Sequence, residues 1–349
     1  MIKKEISRIL SIETSCDETA AAVIENGDTV LSSVVASQVD LHARYGGVFP
    51  EAASRQHILT IYPVVDQALQ QAHLSLVDVD GIAVTRGPGL AGSLVVGVNM
   101  AKGLALSRNL PIVGVNHLEG HIYSAWISPD GVKKPEDLPA FPLVALLVSG
   151  GHTELNLMTG HLTYRRLGGT LDDAAGEAFD KVARLLNLGY PGGPVIQQAA
   201  LKGNPARVNF PRAWLENTWN FSFSGLKTAV LRTIQEYTGG SVEQRAQANI
   251  PVWDLAASFQ EAVVEVLYKK TIQAAKTYQV KDIVIAGGVS ANQALRKAFL
   301  SQSNFRVHIP PLSLCTDNAT MIGVAGYYRF LSGQRDSFDF DVLPSWSLS

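Results

Sequence analysis

The sequence predicts an α/β protein built from two duplicated lobes. Three observations carry that expectation. Residues 8–37 and 143–168 each spell three short strands joined by small polar turns. Each block is followed by the same run of strand, glycine loop, helix, strand and helix. Between the two halves lies "SPDGVKKPEDLPAFP", Ser128 to Pro142, whose prolines and charges read as a linker or exposed crossover.

The first block reads "RILSIE", "TSCDE", "TAAAVIE", "NGD", "TVLSSVVAS", with Asn26-Gly27 as a hairpin signal. The second reads "LVALLVS", "GG", "HTELNLM", "TG", "HLTYRRLG". After the first come "GIAVT", the loop "RGPGL", a helix from "AGSLVVG" to "SRNL", the strand "PIVGV" and a helix in "NHLEGHIYSAW". After the second come "DIVIA", the loop "GGVS", the helix "ANQALRKAFLSQ", the strand "SNFRVHI" and, past "PPLSLCTD", the helix "NATMIGVAGYYRF". The halves share order rather than residue identity. Residues 1–137 are the expected N-terminal lobe and 138–349 the C-terminal lobe, with the last helix, about 318–331, free to pack back on the first.

Two such halves form the plan of the actin-like ATPase (ribonuclease H-like) fold, in which a nucleotide and metal cleft lies between the lobes. Glycine turns suit phosphate because they carry no side chains and expose backbone N–H groups. The pair of glycines in "LLVSGGHTEL" is, alone, an ordinary turn. It gains weight beside the strand–glycine–helix junctions in "RGPGLAGS" and "IAGGVSAN".

Composition narrows the partners. With 46% apolar residues, the 349-residue chain has enough to bury two cores, and 29 Lys+Arg against 31 Asp+Glu leaves no global basic field for non-specific nucleic-acid binding. A nucleic-acid partner would need a local patch, with Arg44, Arg55, Arg86, Lys202, Arg207 and Arg212 as candidates, or a partner subunit. Cys16 and Cys315 form no framework, the start "MIKKEISRILSIETS" is interrupted by charges, and no apolar run reaches membrane-spanning length. The expectation is a cytoplasmic protein without a membrane span.

"NHLEGH" sets His117 and His121 four residues apart, on one face of a helix and within reach of one ion. Two polar residues on an amphipathic helix would look the same. A zinc protease needs Glu directly after the first His, whereas Glu119 stands two after His117, about 200° round the helix. The duplication offers a third ligand: the matching helix of the second half opens at "CTDNAT", where Asp317 is either a helix cap or a metal ligand. Two imidazoles and a carboxylate leave open positions on Fe(II) or Zn(II). In "SIETSCDET", Glu13, Asp17 and Glu18 suit neighbours of a metal or a general base better than phosphate clamps. In "GGTLDDAAGEAFDKVARLLNLGYPGGP", a capped amphipathic helix accounts for the charges, while Asp180 would accept from ribose hydroxyls if a nucleotide lies there.

"SIETSCDETAAAV", "GGVFPEAASRQH", "VTRGPGLAGSLVVG", "VNHLEGH", "LVSGGHTEL", "DDAAGEAFDKVARLL", "YPGGP", "FSFSGLKTAV", "IAGGVSAN" and "CTDNATMI" occur in an order that closely resembles the tRNA N6-adenosine threonylcarbamoyltransferase family, TsaD, formerly labelled an O-sialoglycoprotein endopeptidase. The resemblance runs from about residue 8 to 330. It implies transfer of threonylcarbamoyl from threonylcarbamoyl-AMP to N6 of the adenosine 3′ of the anticodon in tRNAs reading A-starting codons, releasing AMP. It also implies metal ligation by His117, His121 and Asp317, and adenylate binding by Leu147, Val148, Ser149, Gly150, Gly151, Asp180, Gly193 and Asn292. Asp17 and Glu18 remain the candidates for proton handling. Gln197 departs from the Asp that many members carry. The implied partners are tRNA, a smaller inactive paralogue of the same fold and a P-loop ATPase. The rival readings are a small-molecule kinase of the same fold, which would use oxygen ligands for Mg and not a His pair, and a non-catalytic nucleotide-binding scaffold.

Overall fold

The computed structural model describes residues 6–127, 135–238 and 250–348. The described residues form two compact units, and the first seven positions of the expected linker, 128–134, lie outside them. The first unit runs to Ala140 and adds Thr159–Tyr164 and the chain from Pro310 on; the second comprises Phe141–Met158 and Arg165–Ile309.

In the first unit, β1 (Arg8–Glu13), β2 (Glu18–Glu25) and β3 (Thr29–Ser37) form the expected meander. Asn26 and Gly27, at φ 54° and 78°, close its second hairpin, since left-handed residues match the strand twist there. Next come α1 (Val39–Ala43), α2 (Pro50–Gln71), β4 (Gly81–Gly87), α3 (Ala91–Arg108), β5 (Ile112–Asn116) and α4 (His117–Tyr123). The sheet order is β3-β2-β1-β4-β5, with β1 antiparallel to β2 and parallel to β4. β1 is buried on both faces because it is central and covered on both sides. Leu10, Ile12, Val23, Ile82, Val84 and Val98 share the core on one face.

The second unit holds β6 (Leu143–Val148), β7 (Thr153–Gly160), β8 (Thr163–Gly169), α5 (Ala175–Leu185), α6 (Gly192–Ala200), α7 (Ser224–Tyr237), α8 (Val252–Thr277), β9 (Asp282–Ala286), α9 (Gln293–Leu300) and β10 (Arg306–His308). Its sheet order, β10-β9-β6-β7-β8, repeats the first read from the other edge, and β6 is again antiparallel to its hairpin partner and parallel to β9. The duplication therefore holds at the level of topology. One turn sits later than the sequence suggests. β7 continues through Thr159-Gly160, and the chain reverses at His161-Leu162 with Leu162 at φ 58°. Packing of the tip explains it: Leu162 N–H donates to Tyr123 Oη at 3.2 Å, and His161 stacks on Tyr328 at 3.9 Å, all within the first unit.

The chain returns to the first unit for α10 (Ala319–Leu331), which packs on β1, β2, β4, β5 and α4. Gly323 and Gly326 permit that close approach: a Cβ on either would come within 2.5 Å of Ile24 or Ala83. No described helix is long and apolar enough to cross a membrane.

Candidate active site

β5 ends at Asn116, whose Oδ1 accepts from Leu118 N–H at 2.9 Å and Glu119 N–H at 3.4 Å, so the Asn caps α4 and sets His117 as its first residue. The helix period then stacks His121 one turn on, with the two rings edge to face at 4.7 Å. The matching start of α10 is capped by Asn318, whose Oδ1 accepts from Met321 N–H at 3.0 Å. Asp317 is therefore not the cap. Its Oδ1 lies 3.1 Å from His121 Nε2 and 3.5 Å from His117 Nε2.

One ligand atom from each of His117, His121 and Asp317 lies within 4.8 Å of the others. Ligands bonded at 2.0–2.2 Å to one ion stand roughly 3 to 4.4 Å apart, so small adjustments would suffice. His121 supplies the decisive observation. It is fully buried, its Nδ1 has no hydrogen-bond partner among the described residues, and its Nε2 faces the Asp317 carboxylate. Leaving a buried polar ring unsatisfied is costly, and an ion facing Nε2 would remove part of that cost. The group can hold a metal ion.

The atoms behind His117 fix its orientation. Nδ1 is 3.0 Å from Glu13 Oε2 and 3.1 Å from Ser15 Oγ, and a carboxylate only accepts, so Nδ1 carries the proton of the neutral ring, whose Nε2 then keeps its lone pair for a metal. Thr85 Oγ1 donates to Glu13 Oε2 at 2.6 Å, and Ser15 N–H donates to Oε1. Burial, the largest influence, pulls the His117 pKa down, but the Asp317 and Glu13 carboxylates outweigh it and raise it to about 9. Burial pushes Glu13 up, yet His117 beside it and the Thr85 hydroxyl bring it below the ordinary value. Burial holds His121 low and neutral. Ser15 and Thr85 escaped the sequence reading; their only signal is position, one of them two residues after Glu13.

The β1–β2 turn carries the two catalytic candidates. Burial first, then the charges of Asp317 and Asp17, raise the Glu18 pKa to about 10. Its Oε1 accepts from Ser37 Oγ at 3.2 Å. The Asp17 carbonyl accepts from Gln38 N–H at 3.0 Å. Glu119 points to α10, where it pairs with Arg329 at 2.5 Å, away from the histidines.

In the second unit the adenylate candidates form a closed ring of contacts. The β6–β7 turn is held by Ser149 N–H donating to His152 O at 2.8 Å, with Gly150 and Gly151 exposed. Gly176 opens α5 against this turn, and a Cβ there would lie 2.6 Å from Ser149 O. Asp180, one turn along α5, accepts from Gly192 N–H at 2.7 Å, next to Gly193 at the start of α6. Gln197 on α6 accepts from Gln293 N–H at 2.7 Å, the residue after Asn292. Asn292 caps α9 through Leu295 N–H at 3.0 Å and donates to Gln260 at 2.8 Å. Gly287, at φ 92°, closes the ring: a Cβ would meet Val148 O at 2.5 Å. Leu147 and Val148 are buried strand residues, so they offer backbone rather than side chains.

The model of the TsaD family, described as tRNA N6-adenosine threonylcarbamoyltransferase, matches residues 29–324. The chain belongs to this family. Proteins of that name from Dehalococcoides mccartyi strain BAV1 and Bacillus subtilis strain 168 are 53% and 50% identical to it. The alignments cover 98% of this chain in both cases, and 99% and 96% of those proteins. Among solved structures, the T. kodakarensis HypF aligns with a TM-score of 0.61 at 15% identity, over 94% of this chain and 48% of that one. Component A of the Acidaminococcus fermentans (R)-2-hydroxyglutaryl-CoA dehydratase aligns at 0.53 and 15% identity, over 93% and 98%. These likenesses show the fold, which is the actin-like ATPase fold. In this TsaD chain, Arg86 and Arg212 are committed internally: Arg86 donates to Asp341 O at 2.7 Å, and Arg212 pairs with Glu265 at 2.8 Å. Lys202 lies 4.9 Å over the Trp253 ring. Arg44, Arg55 and Arg207 are exposed.

Proposed function

We propose that this chain transfers the threonylcarbamoyl group of threonylcarbamoyl-AMP to N6 of the adenosine 3′ of the anticodon in tRNAs reading A-starting codons, and releases AMP. The observation that carries the metal side of this reading is the buried His121 ring with Nε2 3.1 Å from Asp317, inside a chain about half identical to named transferases. His117, His121 and Asp317 would hold a divalent ion, with Fe(II) or Zn(II) matching a donor set of two imidazoles and one carboxylate. When bound, that ion supplies Lewis-acid polarisation of the carbamoyl carbonyl.

The chain's own residues do the rest. Glu13 and Ser15 hold the His117 tautomer, and the ring from the β6–β7 turn to Asn292 is assigned the adenylate, with exposed Gly150 and Gly151 offering amide N–H groups and Asp180 a carboxylate to ribose hydroxyls. N6 of adenine is a weak nucleophile because its lone pair is delocalised, so positioning must supply much of the acceleration. Asp17 and Glu18, on the β1–β2 turn, are assigned the handling of the N6 proton.

The site of action is the cytoplasm, and protein partners help present the tRNA. Two observations support partners: the chain is nearly neutral, and Ile58, Leu59 and Tyr62 on α2 are each more than 60% exposed, an apolar stripe of the kind that marks protein contacts. The expected partners are a smaller inactive paralogue of the same fold and a P-loop ATPase. The test is nucleoside mass analysis of tRNA from cells depleted of this protein. Loss of threonylcarbamoyladenosine supports the reading; its retention in cells without a second copy sinks it, and phosphoryl transfer to a small molecule would revive the kinase reading.

A further inference from the structure

The segment from Asp336 to Ser347 follows α10 and has no regular structure apart from one bridge, Ile112 to Asp336. It nonetheless reaches the metal-ligand helix by three separate routes. At the cap, Asn116 Nδ2 donates to the carbonyls of Trp346 and Ser347, both at 3.3 Å, which turns Oδ1 toward the N–H groups of α4. On the flank, the Trp346 ring sits 5.3 Å from the Arg329 guanidinium, which grips Glu119 midway between the two histidines. At the β4–α3 loop, Leu343 N–H donates to Arg86 O at 2.8 Å and Gly89 N–H donates to Pro344 O at 3.1 Å. The approach is so close that a Cβ on Gly87, at φ 155°, would lie 1.9 Å from Leu343 O. The next residue, Leu90, donates to Ser15 O at 2.8 Å, and Ser15 Oγ touches His117 Nδ1.

We propose that Asp336–Ser347 is a positioning strap for the metal site: it fixes the cap, the flank and the His117 support, so that the two imidazoles are presented together before an ion arrives. Ligand preorganisation by neighbours that never touch the ion is worth about 10- to 100-fold in metal affinity. Asn116 and Trp346 act through His117 and His121, not on substrate. The inference rests on the reading of His117, His121 and Asp317 as metal ligands.

Co(II) binding alone tests it, followed by the visible d–d bands that report coordination geometry. Four chains are compared: the unaltered one, one ending after Val342, Trp346→Ala and Trp346→Phe. The shortened chain and Trp346→Ala should bind Co(II) about 10- to 100-fold more weakly, with altered bands, at temperatures where circular dichroism shows them folded. Trp346→Phe keeps an aromatic face for Arg329 and should stay within about threefold of the unaltered chain. Equal affinity and equal bands in all four overturn the strap alone. If the shortened chain does not fold, the Trp346 pair decides: a Phe variant as weak as the Ala variant overturns the proposal, and rescue supports it. If the unaltered chain takes up no Co(II), the metal reading fails and takes the strap with it.

Discussion

His121 Nε2 lies 3.1 Å from Asp317 Oδ1, on a fully buried ring whose Nδ1 has no hydrogen-bond partner among the described residues. The approach has the spacing of two ligands on one ion, and it joins the second turn of α4 to the residue before the cap of α10. His121→Ala and Asp317→Ala should therefore lose stoichiometric metal, measured by elemental analysis, and lower threonylcarbamoyl transfer by more than about a hundredfold, beyond the cost of losing a mere neighbour of a ligand. Asn318 remains to cap α10, so the Asp317 variant should keep its circular dichroism. A fully active, metal-free variant would end the assignment.

Glu13 accepts from His117 Nδ1 at 3.0 Å and so leaves the lone pair of the neutral ring on Nε2. Glu13→Gln can point an NH2 at the same nitrogen and favour the opposite tautomer. Zn(II) affinity measured by calorimetry should fall about 10- to 100-fold, whereas an unchanged affinity would show that the ring needs no carboxylate to orient it.

Metal uptake should release a proton. In the metal-free chain His117 is protonated below about 9, while burial holds His121 low, so an ion must displace one proton at neutral pH. Apparent affinity should rise about tenfold per pH unit up to about 9 and then level off; calorimetry in two buffers of different ionisation enthalpy counts the proton. The same raised pKa sets the stability of the metal-free protein. Because the folded value exceeds the unfolded one, the stabilisation is complete below about 6.5 and is lost as pH rises to about 9, so the metal-free melting temperature should fall across that window.

The Glu119–Arg329 pair is an internal brace. Glu119 is 2% exposed, and burial raises its pKa against the pull of Arg329. Arg329→Leu strands that carboxylate and should cost about 3–5 kcal/mol in urea unfolding. A loss under 1 kcal/mol would mean that water reaches the pair.

Gly287 holds the second-unit ring together at φ 92°. Gly287→Ala combines a conformation that L-residues avoid with a clash against Val148 O, and should cost about 2 kcal/mol or more while weakening AMP binding. Equilibrium dialysis of AMP against the folded variant checks it; native affinity would remove that turn from the adenylate site.

Much of this was legible in the residues. The meander strands, the repeated order of elements and the family motifs were set by short apolar runs, by Asn26-Gly27 and by glycines at strand ends, all local properties. The helical spacing of His117 and His121 was legible for the same reason, and so was the turn of Glu119 away from them. Whether Asp317 or Asn318 caps α10 was not, because both types cap well and only the folded helix start distinguishes them. Nor was the reversal at His161-Leu162, which Tyr123 and Tyr328 impose from distant positions. The hold of Glu13 on His117 joins residues 104 positions apart, and the strap works largely through carbonyls of Leu343, Pro344, Trp346 and Ser347 that any side chain would carry. Local chemistry writes itself into residue types; contacts made by backbone, or chosen among equivalent side chains, come into being only when the chain closes on itself.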